Sequence, residues 1–253
     1  MNNSEISEQG KLTIVGTGPG TDQLLAPAAK QALLEADSVI GYKTYVDLIR
    51  HILPESCDIQ AYGMRQEVER SRAAAALALE GKKVCIVSGG DAGVFSIAGP
   101  VLEVISEEDL EKLNLSIIPG ITSALSSAAL LGAPLIHDFA VISLSDLLTP
   151  TELIEKRLSL AAEGDFVVVL YNPASKKRTE LIKKCAQIMI EAGRKDTPVG
   201  IVRHGFRADQ NVTVTTVSEM LNHDIDMNTT VVIGNSRTYR KGRFMVTPRG
   251  YAL

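Results

Sequence analysis

Apolar positions fall along this chain in two alternating patterns. Residues 11–16 (KLTIVG) form a short apolar run ending in glycine, which predicts a strand feeding a tight turn. Residues 24–36 follow with helix formers and apolar positions at helical spacing, and Pro27 is tolerated near the first turn. The alternation then repeats. Strands are predicted over 38–41, 57–62, 83–88 and 115–119, and helices over 44–51, 66–80, 94–105 and 122–131. This rhythm predicts an α/β fold whose first sheet is parallel and covered on both faces.

Gly132-Ala133-Pro134 breaks the rhythm and is read as a hinge, giving an N-terminal domain over 11–134 and a C-terminal domain over 135–253. Beyond it, strands are expected over 139–144, 166–171, 198–203, 210–217, 229–233 and 243–248. Helices are expected over 150–162 and 178–192. Residues 210–217 (QNVTVTTV) alternate β-branched with polar residues, so one face should meet solvent. The second sheet is therefore expected to be mixed, and the two α/β domains to share a cleft.

Composition narrows the function classes. The chain has 253 residues, of which 45% are apolar and 22% charged, so it can bury a sizeable core and is not disordered overall. A formal charge of −4 supplies no general pull toward nucleic acid. No apolar stretch approaches the roughly 18 residues of a membrane span. Residues 1–9 are polar and carry acids, unlike a targeting peptide. Cys57, Cys85 and Cys185 are widely spaced and odd in number, which points to free thiols and a reducing cytosol. With four scattered histidines they show no metal-ligand spacing, so no resident metal is expected.

Three glycine-bearing junctions carry the candidate chemistry. The first, Gly16-Thr17-Gly18-Pro19-Gly20, has the setting of a dinucleotide fingerprint but not its detail. Thr21 stands where a third small residue is needed, Pro19 removes a backbone donor, and no acid follows Ile40-Gly41-Tyr42 for a ribose hydroxyl. The second is Ser88-Gly89-Gly90-Asp91-Ala92-Gly93, in which Asp91 is either a ligand contact or the N-cap of a following helix. The third is Pro119-Gly120-Ile121-Thr122-Ser123, with two hydroxyls at a helix start. Ligands of open α/β sheets lie outside the carboxyl ends of strands, so three such turns in one sheet predict a ligand cradle.

The opening GTGPGTDQLL, the SGGDAGV turn, the PGITSA junction and the LYNP segment together resemble the tetrapyrrole methylases, which methylate porphyrin-like macrocycles with S-adenosylmethionine. The similarity runs from Lys11 to Tyr251. Within that family, HDFAVISLSDLLTP (137–150), YNPASKKR (171–178) and MVTPRGY (245–251) most resemble the cobalamin-synthesis branch acting at carbon 17 of precorrin-3B or cobalt-factor III. The resemblance implies two α/β domains with the methyl donor in their cleft. It implies donor contacts at Pro19, Gly89, Gly90, Asp91, Val94, Thr122, Ser123, Asn172 and Gly205. It further implies S-adenosylhomocysteine as product, a tetrapyrrole as small-molecule partner, and a cytoplasmic homodimer. The uroporphyrinogen enzymes of the family place an Asp after the second strand and a Lys beside an Arg after the third. Tyr42 and Met64 occupy those positions here and only Arg65 is kept, which favours the cobalamin branch.

Methyl transfer from a sulfonium needs an electron-rich carbon held in line with the methyl group, and positioning can supply up to roughly 7 to 11 kcal/mol. Ring contraction also needs proton transfer, for which Tyr42, Arg65, His137 and Asp138 are the catalytic candidates. Each has a plain alternative: packing for Tyr42, an ion pair for Arg65, a solvated turn for His137-Asp138. Arg65, Arg70, Arg72, Arg203 and Arg207 are candidates for the substrate's carboxylates, although Arg70 and Arg72, within a helix, are read as solvent-facing. Competing readings are a sister methylase of other regiochemistry, an RNA or protein methylase of the same fold, and a binding module without turnover.

Overall fold

In a computed structural model, which describes residues 10–175 and 178–252, the first part of the chain builds one fully parallel sheet. Its strands are β1 (Lys11–Gly16), β2 (Ser38–Tyr42), β3 (Asp58–Tyr62), β4 (Lys83–Ser88) and β5 (Asn114–Ile118), in the spatial order β3-β2-β4-β1-β5. Helices α1 (Pro27–Leu34), α2 (Lys43–Ile49), α3 (Glu67–Leu79), α4 (Ala98–Val104) and α5 (Glu107–Lys112) connect them. Central strands read as continuous apolar runs because both faces are covered. Leu12, Ile14, Ile40 and Ile86 pack with Ala74 and Ala78 of α3 on one side, while Val15, Val39 and Val87 pack with Leu33 of α1 and Val46 of α2 on the other. The alanines of α3 let it lie close to the sheet.

The second part begins with α6 (Ser123–Leu131) and the two-residue strand β6 (Gly132–Ala133). Then come β7 (Phe139–Ser143), α7 (Thr151–Glu163), β8 (Val167–Tyr171), α8 (Glu180–Glu191), β9 (Pro198–Arg203), β10 (Asn211–Thr216), β11 (Thr229–Ile233), β12 (Tyr239–Lys241) and β13 (Phe244–Val246). The main sheet has the order β10-β9-β11-β8-β7 and is mixed, as expected: β7 and β8 are parallel, and the other three pairings are antiparallel. A small sheet β12-β13-β6 ties the chain end back to Gly132 and Ala133.

Two differences from the sequence reading have clear causes. The compact units part at Thr122–Ser123, not at Pro134. Helix α6 buries Ala124 and Leu131 against Val167, Val169, Val202, Val232 and Met245, so it belongs to the second unit's core. The helix expected from residue 94 starts only at Ala98. Phe95 has φ 50°, a left-handed conformation that a helix cannot include.

Residues 1–9 and the Lys176-Lys177 pair of YNPASKKR lie outside the described residues. Among the described residues no helix is long and apolar enough to cross a membrane, and no cluster of three metal-ligating side chains occurs.

Candidate functional site

The strand order of the first sheet does something the linear sequence leaves open. β4, β1 and β5 are neighbours and parallel, so the three glycine junctions emerge side by side at one edge. They are joined there. Gly18 N donates to Gly90 O (3.0 Å) and Gly90 N donates to Gly18 O (2.8 Å), a small antiparallel bridge linking the first two turns. Both glycines have φ near +70°, a region L-residues seldom adopt. Thr17 Oγ1 donates to Ser88 O (3.0 Å) beneath the bridge. The third turn is bound by Asp91, whose Oδ2 accepts from Gly120 N (3.0 Å) while Oδ1 accepts from Gly93 N (2.8 Å). Asp91 thus spans two junctions and is not the N-cap of α4.

The glycines serve the protein's own packing first. A Cβ on Gly120 would lie 2.1 Å from Gly90 O, and one on Gly16 would lie 2.6 Å from Gly120 N. A Cβ on Gly89 would meet the Tyr45 ring at 2.5 Å. Pro19 is buried, while Val94, Gly89, Gly90, Asp91 and Thr122 are half-buried on this edge. Tyr42 ends β2, in register with Tyr62, and meets Tyr45 edge-on at 5.4 Å between ring centroids. Arg65 is exposed in the turn after β3, with φ 65°. Both catalytic candidates of the first unit therefore stand on the edge that carries the glycine turns. Arg70 does not face solvent: it is buried in α3 with Nη2 3.4 Å from Glu67 Oε1.

The second unit gathers its own group at one sheet edge. β8 and β9 are both antiparallel to β11 and so run the same way, which brings Asn172, after β8, and Gly205, after β9, to the same edge. Ser123 is there as well, because Tyr171 Oη accepts from the amide of Ala124 in the first turn of α6 (2.7 Å). Asn172, at φ 52°, donates from Nδ2 to Ser143 Oγ (3.0 Å). Gly205 is flanked by His204 (φ 49°) and Phe206 (φ 62°). The His204 ring pairs with Asp209.

Arg203 is committed within the protein. Its Nε donates to Asp226 Oδ2 (2.8 Å), and Asp226 Oδ1 accepts from Asn228 N (2.9 Å) and Thr229 Oγ1 (2.9 Å). Burial pushes the Asp226 carboxyl up, but these hydrogen bonds from Thr229, Asn228 and Arg203 outweigh it and hold it below its usual value.

His137 and Asp138 do not join this group. They precede β7, whose parallel pairing sets Phe139 opposite Val167 and Ser143 opposite Tyr171. The length of β7, roughly 13 Å at about 3.3 Å per residue, separates them from the Asn172 edge. Both are exposed, and His137 Nδ1 accepts from its neighbour's amide (Asp138 N, 2.9 Å). The two residues form an exposed turn at the opposite end of β7 from the edge that carries Asn172.

Six described non-glycine residues have positive φ, and five of them, Arg65, Phe95, Asn172, His204 and Phe206, lie in loops at the carboxyl ends of strands. Such strained conformations collect where a ligand or reaction requires them. None of the three cysteines is placed to act as a nucleophile. Cys85 and Cys185 are pushed up to about 12 by burial, and burial with the charge of Asp58 raises Cys57. Sequence reasoning missed Tyr45, Ser143 and the Tyr171 hydroxyl. All are ordinary residue types whose roles depend on contacts made across the fold.

Comparison with known proteins bears on the family and the fold. The model of the family Tetrapyrrole (Corrin/Porphyrin) Methylases matches residues 11–221. A cobalt-factor III methyltransferase of Priestia megaterium is 47% identical over 246 residues, 96% of this chain but 45% of that longer protein. The chain thus spans under half of that relative. A probable cobalt-factor III C(17)-methyltransferase of Salmonella typhimurium is 41% identical, covering 96% of this chain and 100% of that one. The crystal structure of the methyltransferase CobJ is 38% identical with a TM-score of 0.87, covering 94% of this chain and all of that one.

Proposed function

The chain belongs to the tetrapyrrole methylase family, and from that premise we propose that it methylates carbon 17 of a cobalt-factor III or precorrin-3B macrocycle, with ring contraction, in cobalamin biosynthesis. It is a C-methyltransferase that uses S-adenosylmethionine and releases S-adenosylhomocysteine. The observation that carries this reading is the union of three glycine turns on adjacent parallel strands, locked by Asp91 and by the Gly18–Gly90 bridge. Backbone without side chains is what lets a ligand approach closely, and the carboxyl edge of a parallel sheet is where ligands collect.

The residues present fit a donor of this kind. The first unit offers a rigid, glycine-lined edge with Pro19, Gly89, Gly90, Asp91, Val94 and Thr122, and the second offers Ser123, Asn172 and Gly205 on one edge of its own. When bound, the donor supplies an electrophilic methyl group. The protein's part is to orient, since rate comes from holding the reacting atoms in line. Asp91 sets the geometry of the second and third turns through two amides, and in this reading Tyr42 and Arg65, which share that edge, handle protons. A cytoplasmic homodimer completes the reading.

Incubation of the purified chain with S-adenosylmethionine and cobalt-factor III or precorrin-3B, followed by mass and NMR analysis, tests it. The expected product gains one methyl at carbon 17 in a contracted ring. Methylation elsewhere would overturn the regiochemistry, and donor binding without transfer to any early corrin precursor would overturn the enzyme.

A further inference from the structure

Two stretches that set this branch apart in sequence, 137–150 and 171–178, have parts with no role in the site described above. The structure joins them. Arg178, half-buried, donates from Nη1 to Ser145 Oγ (3.3 Å) and to Asp146 Oδ1 (3.2 Å), and its Nη2 lies 3.6 Å from Met227 Sδ. One guanidinium therefore fastens the loop after β7 to the segment after β8 and to the segment leading into β11. Asn172 reinforces the join through Ser143, whose Oγ also accepts from Ser145 N (3.3 Å). A planar guanidinium suits this task because it offers several donors in fixed directions.

What the clamp holds in place is apolar and open. Leu148 is 98% exposed and Leu147 55%, and Met227, which meets Arg178 Nη2, is 44% exposed. Single exposed apolar side chains are ordinary, but Leu147 and Leu148 directly follow the Ser145-Asp146 pair that Arg178 holds, Met227 meets the same guanidinium, and all lie in segments joined to the sheet edge that carries Asn172, an arrangement that suits a contact surface. The hydrogen bonds of Ser143, Ser145 and Asp146 fix the start of the loop, and Leu147 and Leu148 follow directly and face outward.

We propose that Leu147 and Leu148 form a specificity-determining shelf for the apolar face of the tetrapyrrole, and that Arg178 is the positioning residue that holds the shelf. The inference rests on the function proposed above and names the substrate-facing element of the second unit. Arg178 acts through Ser145 and Asp146; it does not itself take the substrate's carboxylates.

The test compares the wild-type chain with a Leu147→Ser/Leu148→Ser double variant, Arg178→Ala and Arg178→Lys. Initial rates are measured against cobalt-factor III, and S-adenosylhomocysteine affinity is measured by titration calorimetry. Loss of two apolar contacts should raise KM for the macrocycle by at least about tenfold, with donor affinity unchanged. Arg178→Ala should raise KM similarly and Arg178→Lys should recover part of the loss, whereas a merely structural arginine would lower thermal stability without this split between KM and kcat. Since the leucines pack on little, the double variant should melt with the wild type. An active wild type with unchanged KM in the double variant overturns this inference alone, even if the variant's oligomeric state shifts. A parallel fall in donor affinity also overturns it. A wild type that binds neither ligand overturns the proposed function and this inference with it.

Discussion

Replacing Gly120 by Ala adds one methyl group at the place where three turns meet. The new Cβ would lie 2.1 Å from Gly90 O and 2.7 Å from both Gly16 C and Gly16 O, all of them backbone atoms. Ordinary contact begins near 3.4 Å, so the third turn must retreat by about 1.3 Å. It cannot do so freely, because Gly120 N is held by Asp91 Oδ2 at 3.0 Å, and Gly90 by its bridge to Gly18. Overpacking of this kind costs about 1 to 3 kcal/mol. Breaking a hydrogen bond to a charged acceptor adds about 1.5 to 3 kcal/mol. The expected destabilisation is about 2.5 to 6 kcal/mol, a drop in Tm of roughly 5 to 24 °C for a chain of this size. Calorimetry of the parent, Gly120→Ala and a control, Gly99→Ala, measures it. Gly99 lies in α4 and an added Cβ would meet nothing within 4 Å, so alanine there should stabilise by about 0.5 to 1 kcal/mol. The reasoning is refuted if Gly120→Ala melts within about 0.5 kcal/mol of the parent, the ordinary range for neutral surface changes.

Three further outcomes are expected. Asp91→Ala removes an acceptor from two amides and should cost about 2 to 3 kcal/mol in stability, with a weaker affinity for S-adenosylhomocysteine; unaltered affinity in the folded variant counts against a part for Asp91 in donor binding. The depressed value of the Asp226 carboxyl means its charged form stabilises the fold at pH above its unfolded value of about 3.9, and the benefit is lost as pH falls through the folded value. Asp226→Asn should therefore destabilise at pH 6 and be near neutral at pH 2, and equal effects at both would contradict the assignment. Buried thiols held near 12 at Cys85 and Cys185 stay protonated at pH 8, so iodoacetamide should label neither until urea unfolds the chain. Unfolded thiols ionise first as pH climbs past about 8.5, so these two sites should also make stability decline on the alkaline side.

Much of this protein is legible in its sequence. Runs such as KVCIVS and FVVVLY have the length, β-branching and apolar continuity of buried strands, and β4 and β8 form within a residue of where they are expected. These features are local: a strand's burial and a turn's backbone demands act on residues close together in the chain. The misses share the opposite character. Helix α4 begins late because of one left-handed residue, Phe95, which no propensity foretells. The short strand β6 exists only because β13, more than a hundred residues later, pairs with it. Arg70 sits in a run of charges yet is buried.

Alternation of strand and helix and the chemistry of the glycine turns were determined by the sequence alone, because periodicity and turn residues carry them, and the resemblance of whole motifs pointed to the tetrapyrrole methylases. The tertiary structure alone decided which turns are neighbours. The order β3-β2-β4-β1-β5 sets the three glycine junctions side by side, and the direction of β7 sends His137 and Asp138 to the far edge from Asn172. The clamp of Arg178 on Ser145 and Asp146 likewise belongs to the folded chain. Hydrogen-bond register and crossover direction link residues far apart in the chain. That pairing is fixed only when the whole sheet closes its ladder of backbone bonds, which no local pattern records.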